Sequence, residues 1–273
     1  MLLQRVLTVL VLLPLLLAAI WFAPTAWLYA LFCAAGALMA WEWSALMGVD
    51  GKSGRWGYVA LVVAVLAAVW LVPGRDQRLP WLLGAAVVWW LAAVALFPGF
   101  PQNLQSRRPG LLSMGLLGLL MVASTLLALA SLHAMSDGRY KLIYLFFVVF
   151  AADTGAYLAG RNFGKHKLAP NISPGKTVEG AIGGLLLCAA WALTAGTWVF
   201  HASGRDALLL MALTMAVAAI SIVGDLVESM FKRVAGVKDS GNLLPGHGGI
   251  LDRVDSILAA APTMVLGLYL TGL

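Results

Sequence analysis

The chain has 273 residues, of which 62% are hydrophobic and only 11% charged, and its formal net charge is +6. Soluble domains carry about 25% charged residues, so composition argues against a water-soluble fold. Nucleic acid is a poor explanation for the basic balance, because in a membrane protein the flanking loops decide what positive charge means.

Continuously apolar runs recur along the chain, each long enough to approach the roughly 20 residues that a helix needs to cross a hydrocarbon core. Only helices or a closed barrel satisfy the backbone in lipid, and barrel strands would alternate apolar and polar residues. The expected fold is an all-α, polytopic transmembrane bundle of about nine spans, at 5–23, 25–45, 57–73, 80–97, 110–133, 141–160, 178–200, 206–228 and 250–272. Only Pro24 and Thr25 are available to separate the first two. The run after Arg5 continues past Pro14 and Trp21, so it reads as a retained helix and not a signal peptide. Cys33 and Cys188 lie in apolar runs without metal-ligand spacing and read as core residues. Residues 1–273 are treated as one membrane domain, with the active site at about 150–256.

Successive loops must alternate sides, and Lys and Arg gather on the cytoplasmic one. With nine spans, one side holds Arg5, Lys52, Arg55, Arg107, Arg108, Arg161, Lys165, Lys167, Lys176, Lys232, Arg233, Lys238 and Arg253, while the other holds Arg75, Arg78, Arg139, Lys141 and Arg205. This predicts a cytoplasmic N-terminus and a C-terminus across the membrane. The polar loops at about 161–177 and 229–249 then share the cytoplasmic side, within reach of a soluble nucleotide.

Acids within spans are costly and require a reason. Asp153 sits inside the sixth span, Asp225 and Glu228 close the eighth, and Asp252 and Asp255 open the ninth. Separations of three residues put each pair on one helix face. Clustered carboxylates need a positive centre, and oxygen-only ligands favour a hard cation such as Mg²⁺. The plainer alternative is that Lys232, Arg233 and Arg253 neutralise these acids at a helix end. Between the acids runs a stretch dense in cations and glycine, where Gly246, Gly248 and Gly249 let backbone approach a ligand and the next helix N-terminus favours anions. Such a loop suits a polyphosphate. His247, bracketed by glycines near Asp252, is a candidate phosphate contact.

Here the sequence resembles the phosphatidate cytidylyltransferase family, or CDP-diacylglycerol synthases, whose signature reads Ser-x-apolar-Lys-Arg, four residues, Lys-Asp, then His-Gly-Gly-x-x-Asp-Arg-x-Asp. Ser229, Lys232, Arg233, Lys238, Asp239, Gly241, Pro245, His247, Gly248, Gly249, Asp252, Arg253 and Asp255 meet its fixed positions. The likeness extends to Asp153-Thr-Gly-Ala-Tyr157, Ile172-Ser-Pro-Gly-Lys-Thr-Val-Glu179 and Asp225-Leu-Val-Glu-Ser229, and so covers the C-terminal half. Spans one to five match only in hydrophobic character.

Ser173-Pro-Gly-Lys-Thr177 is not a P-loop, because the earlier glycine that motif requires falls on Pro170 and no strand is expected before it. The resemblance instead implies nucleotide-phosphate contacts from Lys176, Ser173 and Thr177, with Glu179 orienting Lys176 or binding metal. Lys165 and Lys167 read as positive-inside anchors.

The implied activity is CTP + phosphatidate giving CDP-diacylglycerol + pyrophosphate, by in-line attack of an already anionic phosphate oxygen. Mg²⁺, as one or two ions, would bind at Asp225 and Asp252, then Asp153, Glu228 and Asp255. Catalytic candidates are Asp225, Asp252, Lys176 and Asp255. Substrate phosphates would meet Ser173, Lys176, Thr177, Lys232, Arg233, Lys238, His247, Gly248, Gly249 and Arg253. The resemblance also implies a homodimer, and the chain's lack of large soluble domains suggests a bacterial inner membrane. Competing readings are a CTP-dependent polyprenol, dolichol or phytol kinase, and an ion-coupled transporter using Asp153 and Asp225.

Overall fold

The structure, a computed structural model, describes residues 2–106, 109–243 and 248–273, with side chains described from residue 10 onward apart from 105 and 106. The helices are α1 (Leu2–Phe22), α2 (Thr25–Leu46), α3 (Lys52–Leu71), α4 (Arg75–Ala93), α5 (Gln102–Ser106), α6 (Leu111–Ala134), α7 (Gly138–Phe163), α8 (Val178–Trp191), α9 (Thr197–Val199), α10 (Arg205–Val234) and α11 (Leu251–Thr271). A π-turn at Ala192–Gly196 joins α8 to α9, and a 3₁₀ turn at Val94–Leu96 extends α4. Among the described residues, eight helical segments are long and apolar enough to cross a membrane. The part of α1 whose side chains are described, Leu10–Phe22, is a shorter apolar helix. Each of the nine expected runs is therefore helical, and the chain is an integral membrane protein.

Pro24 does separate α1 from α2. It has no N–H to continue the ladder, and its carbonyl accepts from the N–H groups of Trp27 and Leu28 at 3.0 and 3.1 Å. His133, at the end of α6, holds both sides of this break. Its Nε2 lies 2.9 Å from the Ile20 carbonyl and its Nδ1 2.9 Å from Thr25 Oγ1. A carbonyl only accepts, so Nε2 donates to Ile20.

α6 and α11 are the most buried spans, with α11 packed on α10, α6, α4 and α7. Pro262 inside α11 removes the N–H that would serve the Leu258 carbonyl four residues earlier. Thr125 of α6 supplies the substitute, its hydroxyl lying 3.0 Å from that oxygen. α7 and α8 approach closely through glycine: a Cβ on Gly155 would lie 2.6 Å from the Gly183 carbonyl and 2.8 Å from Gly184 Cα. Small residues at such a crossing let helices pack without a hydrophobic driving force in lipid. Gly155→Val is expected to separate α7 from α8, seen as a lower melting temperature in detergent and reduced activity. Wild-type melting would show that the crossing tolerates bulk.

Contacts bring four inter-helix connections to one end of the bundle. Asn171 Nδ2 donates to the Phe100 carbonyl at 3.0 Å, joining the segment after α7 to that after α4. Arg233 Nε, near the end of α10, faces the Ile172 carbonyl at 3.4 Å. Glu42, near the end of α2, accepts from Ser240, Ile250 and Leu251 of the α10–α11 connection.

Candidate active site

The segment after α7 is not pure loop. β1 (Lys167–Ala169) pairs antiparallel with β2 (Ser173–Thr177), with Lys167 opposite Thr177 and Ala169 opposite Ser173. A short strand thus lies over Ser173-Pro-Gly-Lys-Thr177, where none was expected to precede the Gly-Lys-Thr. The P-loop reading still fails, because these residues are themselves strand and enter α8 directly. Thr177 Oγ1 accepts from Gly180 N–H at 3.1 Å, capping α8. Glu179, in the first turn, gathers the preceding turn: its carboxylate accepts from Lys165 N–H at 3.1 Å and contacts His166 Nδ1 at 2.6 Å. It does not pair with Lys176.

Lys176 instead projects to α10, its Nζ 2.5 Å from Asp225 Oδ2. Ser229, one turn on, donates to Asp225 Oδ1 at 3.3 Å. Asp153 of α7 and Asp255 of α11 lie within electrostatic reach of both Asp225 and Lys176. Three helices therefore carry the three carboxylates, of which Asp225 contacts the ammonium. Together with Gly175 and Thr177, Asp153 and Lys176 line a cavity of about 350 Å³ whose walls include Tyr157, Arg161 and Ile222.

A second group lies beside it. Lys232 Nζ sits 2.5 Å from Glu228 Oε2 and 2.6 Å from Asp252 Oδ1. Asp252 Oδ2 receives Ser240 N–H at 2.9 Å, Gly249 N–H at 2.8 Å and faces Ser240 Oγ at 3.0 Å. Asp252 thus pins both ends of the connection between α10 and α11. Glu228 is 3% exposed, and its Oε1 has no hydrogen-bond partner among the described residues.

α10 itself runs to Val234, six residues beyond the expected end of that span, so Ser229, Lys232 and Arg233 are helical and not part of a loop. Glu228 and Lys232 form an i,i+4 pair, and cations in the last turn complement the negative helix C-terminus. The connection shortens to 235–250. Within it Gly248 has φ of +81°, where a side chain is strained, and Lys238 is exposed, as is Arg253 just inside α11. Ser173 lies in β2, outside the cavity lining. His247 and Pro245 lie outside the described residues.

The sequence reading missed Glu42. It is 2% exposed in α2, and its carboxylate accepts from Ile250 N–H at 3.0 Å, Leu251 N–H at 2.8 Å and Ser240 Oγ at 3.0 Å. The residue capping α11 is Ile250, which has no side-chain oxygen, so Glu42 supplies the missing cap from another helix. An acid inside a span, in Trp41-Glu42-Trp43, was the available signal. Gly249 packs against it: a Cβ there would lie 2.5 Å from Glu42 Oε2 and collide with Ser240 Oγ. Gly249→Ala should therefore displace the connection at a cost of about 1–3 kcal/mol, read as loss of turnover together with a lower melting temperature. Unchanged turnover would show that this crowding is harmless.

A model of the Cytidylyltransferase family matches residues 3–271. The chain belongs to this family. Its membership extends beyond the C-terminal half that carries the recognisable motifs, taking in α2 and Glu42. A phosphatidate cytidylyltransferase of Pseudomonas aeruginosa is 42% identical over 100% of this chain and 98% of its own length. One of Haemophilus influenzae is 40% identical over 96% of each chain. A third, of Staphylococcus haemolyticus, is 49% identical over 47% of this chain and 49% of its own. The protein is accordingly a nucleotidyltransferase of phospholipid biosynthesis.

The family resemblance implies a divalent metal. Donor type fits one at Asp153, Asp225 and Asp255, all hard oxygen ligands, although Lys176 already contacts Asp225. As they stand, no three His, Cys, Asp or Glu side chains among the described residues are gathered into a coordination set. Glu228 and Asp252 fit less well, because Lys232 already lies between them.

Proposed function

We propose that this chain transfers the cytidylyl group of CTP to phosphatidate, giving CDP-diacylglycerol and pyrophosphate, in a metal-dependent reaction at the cytoplasmic membrane surface. The carrying observation is a cavity lined by Asp153 and Lys176, with Lys176 paired to Asp225, in a chain whose near-full-length relatives bear that name. An oxygen of the lipid phosphate attacks the α-phosphorus of CTP, forming the new P–O–P bridge as the bond to the β-phosphate breaks. The nucleophile is already anionic, so no general base is required.

The task left to the protein is to bring two polyanions together and stabilise the charge that develops. Lys176 is positioned for this by Asp225, and the exposed Lys238 and Arg253 are available to CTP phosphates. The connection pinned by Asp252 and Glu42 holds its glycine-rich backbone beside them. A divalent ion held by Asp153, Asp225 and Asp255 would screen phosphate repulsion and lower the barrier as a Lewis acid. Lys52, Arg55, Arg161, Lys165, Lys167, Lys232 and Arg233 flank the same end of the bundle, a bias that supports a cytoplasmic site. The same assignment puts the N-terminus in the cytoplasm and the C-terminus across what we take to be a bacterial inner membrane.

The test uses detergent-purified protein, phosphatidate, Mg²⁺ and CTP labelled at the α-phosphate. Label should enter the lipid phase with release of pyrophosphate, vanish with EDTA and return with excess Mg²⁺. Release of CDP with an unlabelled phospholipid product would identify a lipid kinase, and label transfer indifferent to EDTA would remove the metal.

A further inference from the structure

The cavity beside Asp225 holds two cations, and they are not equivalent. Lys176 is held by a carboxylate at 2.5 Å. Arg161, in the last turn of α7, has no acidic partner among the described residues; Nη1 donates to the Tyr157 hydroxyl at 3.1 Å. Asp153, Tyr157 and Arg161 are spaced by four residues, so they climb one face of α7 from the carboxylate cluster toward the helix end. A guanidinium left unpaired at the mouth of a cavity is preorganised for a bidentate oxyanion, and phosphate matches its fork.

The surroundings decide which phosphate. The cavity lies between α7 and α8, whose outward faces expose Leu158, Ile182 and Leu186. Along α7, about 10–20 Å from Arg161 at 1.5 Å per residue, the same helices form an apolar groove lined by Phe147, Phe150, Leu187 and Trp191. A ligand with its phosphate at Arg161 therefore has an apolar path for its tails. The exposed Lys238 and Arg253, which have no ion-pair partner among the described residues, belong to a different part of the site.

Resting on the cytidylyl-transfer reading, we propose that Arg161 binds the terminal phosphate of the lipid acceptor, with the Tyr157 hydroxyl holding the guanidinium in place. Arg161 thereby selects a phosphomonoester lipid, while CTP is bound by other residues.

The test is a pair of titrations on Arg161→Gln and Arg161→Lys, varying phosphatidate at saturating CTP and CTP at saturating phosphatidate. Binding of dioctanoyl phosphatidate to the purified protein without CTP is measured alongside. Loss of a charged hydrogen-bond pair predicts that Arg161→Gln raises the KM for phosphatidate about 10- to 100-fold, with the KM for CTP unchanged. Arg161→Lys should recover part of the loss, because a point charge replaces the fork. A rise in the KM for CTP alone, or no change in either, overturns the assignment. If the wild type transfers no label, the reaction reading fails separately. Arg161 then stands if Arg161→Gln abolishes dioctanoyl phosphatidate binding and falls if binding persists.

Discussion

Asp225→Asn is expected to reduce turnover by at least about 100-fold, the scale of removing one preorganised electrostatic group from a transition state, while the protein still inserts and folds. The substitution keeps shape and one acceptor oxygen but removes the charge that holds Lys176 at 2.5 Å. Asp153 of α7 and Asp255 of α11 keep their carboxylates. Turnover should fall and the Mg²⁺ concentration for half-activation should rise, since the cluster has lost a donor. Asp252→Asn should be equally damaging by another route. Both Asp252 oxygens already serve the protein, one facing Lys232 and the other receiving Ser240 and Gly249 N–H groups. An amide cannot accept at both positions, so the connection to α11 loosens and the KM for CTP should rise with little change in Mg²⁺ requirement. Near-normal activity in both variants would remove the carboxylates from the reaction. Equal shifts in Mg²⁺ requirement would instead make Asp252 a metal ligand on the same footing as Asp225.

The sequence reading located the helices well and their ends less well, for a physical reason. Hydropathy reports where lipid stops, and α10 continues past that point through Lys232 and Arg233 to Val234. Two further turns of helix at the membrane edge cost nothing in exposed polar groups, because Lys232 pairs with Glu228 and Asp252. The β1–β2 hairpin was illegible for a different reason: strands of three and five residues show no usable alternation. The hairpin is tied down by neighbours, as where Val178 N–H bonds the His166 carbonyl at 2.9 Å. Spacing along α10 and α11 groups Asp225 with Glu228 and Asp252 with Asp255, whereas in the structure Asp225 contacts Lys176 and both Glu228 and Asp252 contact Lys232. That division depends on Lys176 arriving from the hairpin.

Glu42 carries the second large effect, since it links the N-terminal half of the chain to the site. Glu42→Ala leaves the buried Leu251 N–H and its neighbour Ile250 N–H without their acceptor, at a cost of about 2–4 kcal/mol. It also frees Ser240, whose hydroxyl lies 3.0 Å from both Glu42 and Asp252. One hydroxyl proton serves one acceptor at a time, so the two carboxylates hold Ser240 jointly and its loss from Glu42 is passed to Asp252. The expected result is a lower melting temperature with a turnover deficit that persists well below it, and a raised KM for CTP. Glu42→Gln tests whether this is positioning or bulk stability. Its carbonyl oxygen can still accept from Leu251 N–H and Ser240 Oγ, but its NH₂ then faces the Ile250 N–H, so stability should return only in part. The negative charge opposite the α11 N-terminus does not return, and the KM for CTP should stay partly raised. A Glu42→Ala enzyme that melts early but keeps the wild-type KM and turnover at low temperature would confine Glu42 to holding helices together.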